Sequence, residues 1–350
     1  MPYANKLKIM KKLLILSCIL ALFSCREQLP EIAPTLKTEK LPNDSDDPAI
    51  WVNKANPEES IVFGTDKGDK KIANSGVYAF DLDGKLIEEK SITKLIRPNN
   101  VDVEYDFKLN DSTKADILVF TERGRKQIRV FSVPDMKPLD NGGFKVFEDE
   151  TDADSEFTQP MGVSVYRNPE SGKVYAIVGR KNGPTEGYLY QYELLSDATG
   201  VHANLVRKFG KFSGQKEIEA IAVDDALGYV YYCDEGVGIH KYYADPEKGN
   251  EEISMFGGEY FKDDIEGIAI ATYEDGEGYV IVSDQQDHTF NFFDRKTNTF
   301  IKKLNLGTLE TDGCEVVTES LGSKFPNGLF VSMNDEKDFF YHALDSLQLK

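Results

Sequence analysis

One pattern recurs along the chain and restricts its fold more than any other. A short apolar run tipped by acids or amides returns at DDPAIW (Asp46–Trp51), NNVDV (Asn99–Val103), QPMGVSV (Gln159–Val165), EIEAIAV (Glu217–Val223), DIEGIAI (Asp264–Ile270) and TDGCEVV (Thr311–Val317). A second apolar run follows each: SIVFGTD (Ser60–Asp66), DILVFTE (Asp116–Glu122), VYAIVGR (Val174–Arg180), YVYYCDE (Tyr229–Glu235), YVIVSDQ (Tyr279–Gln285) and LFVSMND (Leu329–Asp335). A third follows in most, marked by Phe80, Phe131, Tyr192, Tyr242 and Phe293, at a spacing of about 50 residues with one longer interval. The runs are β-branched and aromatic, and Gly, Asp, Asn and Pro punctuate them, as strands between turns require. A period of this length, with about four strands per unit, predicts an all-β fold, a six-bladed β-propeller. Such a ring must close, or its end strands keep unpaired edges. The sixth unit runs out of chain near Lys350, so Leu36–Leu41 is expected to complete it.

In a propeller the first strand of each unit lines the central channel, and the loops leading into these strands ring one mouth. Aligning the six units places Asp47, Asn100, Met161, Glu219, Glu266 and Asp312 at one position. Five of these six are oxygen ligands by type. Carboxylates gathered at one mouth repel each other unless a cation sits among them. Carboxylate and amide oxygens suit Ca²⁺. No zinc set is visible: His202, His240, His288 and His342 are scattered, and Cys233 and Cys314 fall in different repeats and read as two buried free thiols. With 60 acidic against 41 basic residues the formal charge is −19, which argues against a nucleic-acid partner. No Ser-His-Asp set or nucleophile elbow is present.

The N-terminal stretch Met10–Cys25, MKKLLILSCILALFSC, has a positive pair, an apolar run too short to span a membrane comfortably, and an ending that resembles a bacterial lipobox. The expected division is a signal peptide with lipobox over 1–25, a tether over 26–35 and the propeller over 36–350. The mature chain would then begin at a lipidated Cys25. It would be exported, anchored to the cell envelope through that lipid alone, and monomeric.

Two motifs, Asp46-Asp47-Pro48-Ala49-Ile50-Trp51 and Asn99-Asn100-Val101-Asp102, closely resemble those of the calcium-dependent β-propeller phytases. The resemblance continues through IEAIAVDDALG, Asp234-Glu235, DDIEGIAI, Thr311-Asp312-Gly313 and FPNGLFV, over essentially all of the expected mature chain. It implies several Ca²⁺ ions held by Asp46, Asp47, Asn100, Asp102, Glu219, Glu235, Asp264, Glu266 and Asp312. It implies phosphate contacts from Lys67, Arg123 and Arg180 or Lys181. Three positions depart from the family pattern: Met161 replaces a calcium-associated tyrosine, Asn43 replaces an aspartate, and the loop around Asp312 is short and lacks one acid. The expected activity is release of phosphate from phytate or related inositol phosphates by a metal-activated water. The alternative is a non-catalytic, calcium-stabilised surface propeller that binds a glycan, a protein or a phosphorylated ligand.

Overall fold

Successive side chains of a strand point to opposite faces, so an unbroken apolar run such as Ile117-Leu118-Val119-Phe120 needs an apolar neighbour on each side. A ring of radially packed sheets supplies that. The structure, a computed structural model, describes residues 29–151 and 156–349. The expected signal peptide, Cys25 and part of the expected tether lie outside them. The described strands form six four-stranded antiparallel sheets. In chain order, blade 1 is β2 (Ser45–Trp51), β3 (Ile61–Asp66), β4 (Ser75–Phe80) and β5 (Ile92–Leu95). Blade 2 is β6 (Pro98–Lys108), β7 (Lys114–Glu122), β8 (Gln127–Val133) and β9 (Phe144–Lys145). Blade 3 is β10 (Pro160–Arg167), β11 (Val174–Arg180), β12 (Glu186–Asp197) and β13 (Gly200–Lys211). Blade 4 is β14 (Ile221–Asp224), β15 (Tyr229–Asp234), β16 (Gly238–Tyr243) and β17 (Ser254–Phe256). Blade 5 is β18 (Ile265–Thr272), β19 (Gly278–Asp284), β20 (Thr289–Asp294) and β21 (Phe300–Leu304). Blade 6 is β22 (Cys314–Val317), β23 (Leu329–Asn334) and β24 (Asp338–Ala343), completed by β1 (Leu36–Lys37).

Each pair of neighbouring blades shares one hydrophobic cluster. Leu118 and Phe120 pack with Ala49, Trp51 and Phe63 of blade 1, while Ile117 and Val119 pack with Val163, Val165 and Ala176 of blade 3. The same alternation sends Val62 of β3 towards Val331 and Phe339 of blade 6. Trp51 lies within the first cluster and donates its ring N–H to Asp116 at 2.8 Å. Cys233 and Cys314 are buried free thiols in separate clusters.

The ring closes through β1, which pairs with β24 in the register Leu36 to Tyr341 and Lys37 to Phe340. Thr38 adds a reciprocal pair: its N–H donates to the Phe339 carbonyl at 2.9 Å, and its hydroxyl accepts from the Phe339 N–H at 2.9 Å. An edge that would otherwise be open is thereby satisfied.

Residues from the first strands of all six blades line one central cavity. Four of these strands, β2, β6, β10 and β18, shift register near their starts, between Ser45 and Pro48, Pro98 and Val101, Pro160 and Val163, and Ile265 and Ile268. A bulge re-aims the side chains beside it, and these bulges decide which acids reach the mouth.

Candidate functional site

Six backbone hydrogen bonds build the mouth, one per blade. The residue just after each second strand donates its N–H to the loop leading into that blade's first strand. Lys67 donates to the Asp44 carbonyl, Arg123 to Arg97, Lys181 to Gln159, Glu235 to Glu217, Gln285 to Asp264 and Asp335 to Leu309. The residue before it, the last of the second strand, is buried and polar in every blade: Asp66, Glu122, Arg180, Asp234, Asp284 and Asn334. In five blades its side chain accepts backbone N–H bonds from the same loop. Asp66 takes Asp44 at 2.7 Å, Glu122 takes Ile96 at 2.9 Å, Asp234 takes Ser213 at 2.6 Å, Asp284 takes Lys262 at 3.1 Å and Asn334 takes Leu309 at 3.0 Å. These side chains clasp the loops; in five blades the residue after the strand, Lys67, Arg123, Lys181, Glu235 or Gln285, lies among the mouth residues.

Arg180 holds the clasp position in blade 3, which corrects the expectation that it contacts phosphate. It is 0 % exposed, and its guanidinium donates to the carbonyls of Tyr188, Gly187 and Phe157 and to Glu150. It also lies 4.5 Å from the centre of the Phe147 ring and 4.6 Å from that of Tyr190. Lys181, the next residue, is half-buried at the mouth and ion-paired with Glu217.

The acids fall into two groups. Asp46, Glu219, Glu235, Asp264, Glu266 and Asp312 gather around the mouth. Lys67 bridges Asp46 at 2.9 Å and Asp312 at 2.7 Å. Asn99 donates to Asp46 at 3.1 Å and to Glu219 at 3.0 Å, tying blade 1 to blade 4. Glu235, Asp264 and Glu266 present carboxylate oxygens that lie within 4.8 Å of one another. Gln285 and Gln286, after β19 of blade 5, orient one acid of the next blade and one of their own: Gln285 donates to Asp312 at 2.6 Å and Gln286 to Asp264 at 2.6 Å.

Asp47 and Asp102 belong to the second group, inside the channel with Glu315 and Asp225. Asp47 accepts from the Val101 N–H at 3.0 Å, and Asp102 accepts from Ser164 at 2.9 Å and the Val165 N–H at 2.7 Å. Alignment by repeat put Asp47 in the mouth ring. The bulge between Ser45 and Pro48 instead gives that place to Asp46. Asn100, also expected there, is buried with an Oδ1 that takes no hydrogen bond. Met161 is buried, and its carbonyl accepts from Thr121 at 2.6 Å.

Close approach of the inner strands needs missing side chains, as at Gly162 and Gly313. A Cβ at Gly162 would lie 1.8 Å from the Glu219 carbonyl oxygen, and one at Gly313 would lie 2.5 Å from Asp47 Oδ1. Both glycines follow the acid-tip position of their repeats.

Electrostatics at the mouth are dominated by crowding in a buried place. Burial pushes the Glu235 carboxyl up to about 8, and Glu219 and Asp264 push the same way. Burial and then Glu235, Asp312 and Glu219 hold Glu266 well above the usual carboxylate range. Burial does the same to Asp46, with Lys67 opposing. Burial works against the charge on Lys67, but Asp46, Glu219 and Asp312 outweigh it, so its pKa lies well above the usual lysine value. Arg123 is 7 % exposed; burial and the neighbouring Arg97 lower its pKa, while Glu219 and Asp46 support the charge. Its Nε donates to Gln159 at 3.1 Å, and among the described residues neither it nor Arg97 makes an ion pair.

These residues fit calcium on the structure's own terms. The donors are hard oxygens. Asn99 Oδ1, Asn100 Oδ1 and Glu266 Oε2 are buried and take no hydrogen bond, and buried oxygens of that kind need a partner. Sequence reasoning missed Asn99 as the strut, Arg97, Lys216, Gln285 and Gln286. Gln285 was within reach, because it shares the post-strand position with Lys67, Arg123 and Lys181. A wider cavity of about 940 Å³ opens at the opposite ends of β18 and β22, but its lining contains no lysine or arginine.

Comparison with known proteins agrees with this geometry. The six-bladed count rests on the sheets themselves; the WD40 β-propeller domain of Doa1 shares the general fold, with 9 % identity, a TM-score of 0.50, and 88 % of this chain and 95 % of that one covered. A 3-phytase of Bacillus subtilis (strain 168) is 32 % identical over 305 residues, covering 83 % of this chain and 75 % of its own. A family model described as Phytase matches residues 18–339. The chain therefore belongs to the phytase family.

Proposed function

We propose that this chain is a calcium-dependent phosphohydrolase that releases inorganic phosphate from phytate or related inositol phosphates. The observation that carries the reading is the pairing, at one mouth, of a crowded buried acid group with Lys67, Lys181, Arg97 and Arg123. Neither half explains itself alone. The acids need cations, and the two arginines, like charges side by side, need an anion. A phosphate meets the second need, since a guanidinium offers it a planar two-pronged donor.

Glu235, Asp264 and Glu266, with Asp46, Glu219 and Asp312, would hold the calcium. Bound there, calcium would offset the carboxylate charge, polarise phosphate oxygens and make a water more acidic. Arg123 would then clamp the phosphate while Lys67, anchored between Asp46 and Asp312, adds charge beside it. Asn99 keeps Asp46 and Glu219 at a fixed separation. Phosphate release from phytate, measured in calcium and in excess chelator, tests the reading. Release only with calcium supports it; no release under either condition transfers the case to a non-catalytic, calcium-stabilised propeller.

Export and anchoring are proposed from the sequence of the leader alone. Cys25→Ala is expected to abolish lipid labelling and membrane retention, and unchanged labelling would rule the anchor out.

A further inference from the structure

Lys216 lies in the loop leading into β14, three residues before Glu219. Its ammonium is in direct contact with Oδ1 of both Asp263 and Asp264. Asp264 is one of the three acids whose oxygens converge within 4.8 Å. The lysine thus reaches from blade 4 to blade 5 and lays a positive charge on the rim of that group. Its side chain is 37 % exposed, so the ammonium, on its flexible stem, has water to move into when it is displaced, at the cost of its two carboxylate contacts. Glu266 is placed differently: its Oε2 is buried and takes no hydrogen bond. The lysine therefore covers the outer acid and leaves the inner one unmet. Lys67 offers a contrast, since it is nearly enclosed between its two acids.

We propose that Lys216 is a tethered counter-cation of the Glu235–Asp264–Glu266 group, which calcium must displace, so that this lysine sets the calcium concentration at which the site fills. The proposal rests on the calcium-dependent reading above and adds the residue that tunes it. An ammonium and a divalent cation on one carboxylate repel each other strongly at these distances, so occupancy by one weakens the other. Lys216 lines a groove of about 370 Å³ with Lys181 and the acids Glu156, Glu217, Glu235 and Asp264.

Two variants separate charge from shape. Lys216→Met keeps the stem and removes the charge; Lys216→Arg keeps the charge. Calcium binding to the full-length, chelator-treated protein is read by calorimetric titration, with no substrate present. Lys216→Met is expected to lower the half-saturating calcium concentration by about tenfold, the low end of what one close charge does to a carboxylate's proton affinity. Lys216→Arg is expected to stay near the wild type. In chelator the Lys216→Met protein is expected to melt below the wild type, and in saturating calcium to recover. A half-saturation unchanged or raised in Lys216→Met, or lowered equally in Lys216→Arg, overturns the proposal. If Lys216→Met folds only with calcium, its calcium release into a chromophoric chelator is timed instead: slower release than wild type supports the proposal, and equal or faster release overturns it. A wild type that binds calcium but hydrolyses no phytate sinks the hydrolase reading and leaves this result standing. A wild type that binds no calcium overturns both.

Discussion

Glu266 shows how function and stability oppose each other in one side chain. It is buried, one of its oxygens takes no hydrogen bond, and its nearest charged neighbours include three other acids. Glu266→Gln keeps the shape and removes the charge. It is expected to raise the calcium concentration needed for half-saturation by about tenfold or more and to depress phosphate release with it, since loss of one carboxylate weakens the whole oxygen set. In chelator the same variant is expected to melt above the wild type, because a buried acid crowded by other acids has been neutralised. Titration calorimetry and thermal melts check the two halves separately. Arg123 is proposed to act on the other partner, the phosphate. Arg123→Ala is expected to raise the phytate concentration needed for half-maximal rate while leaving calcium half-saturation nearly unchanged, a split that steady-state kinetics and calcium titration resolve.

Strands and loops divide the labour in each blade. The last residue of a second strand holds the leading loop, and the next residue serves the mouth. Asp284 illustrates the first role: it accepts from the N–H of Lys262, two residues before the ligand candidate Asp264, at 3.1 Å and from Lys303 Nζ at 2.7 Å. Asp284→Ala is expected to cost about 1–3 kcal/mol in urea unfolding, the scale of leaving a buried donor unmet, and to weaken calcium binding by loosening the loop. The propeller, its blade count and the placing of β1 were legible in the sequence because the first and second strands, packed on both faces, read as unbroken apolar runs at a regular period. The mouth was legible as a set of acid-tipped loops. The choice between Asp46 and Asp47 was not, because it depends on a bulge that leaves no mark on residue type. Arg180 was misplaced for a related reason. Arg180 and Lys181 are adjacent cations, and only the register of β11 decides which one is clasp and which one faces out.

At the scale of the whole molecule, one ring concentrates negative charge both at its mouth and in its channel. In the channel, burial and then Asp102 push the Glu315 carboxyl from its ordinary 4.5 up to about 8. A carboxyl with a raised folded pKa binds its proton more tightly in the folded state. Its contribution to stability is therefore complete below the unfolded value and is lost as pH rises through the folded one. Glu235, also raised to about 8, acts in the same direction. In chelator the melting temperature is expected to fall as pH rises from 4.5 towards about 8, and Glu315→Gln is expected to flatten that fall. Calorimetric scans across this window check it, and a melting temperature that climbs instead contradicts the assignment. Saturating calcium is expected to restore stability at the upper end, since a ligand bound only to the folded state adds to its stability.

The central claim is that the acid mouth needs calcium to act on phosphate held by the neighbouring cations. The most direct measurement is the initial rate of inorganic phosphate release from phytate as a function of free calcium, for the wild type and Glu266→Gln side by side. Negligible release is expected in chelator, with a saturable rise with calcium for the wild type and a lower plateau reached at higher calcium for the variant. Equal release with and without calcium, or no release by calcium-loaded wild type, would contradict it.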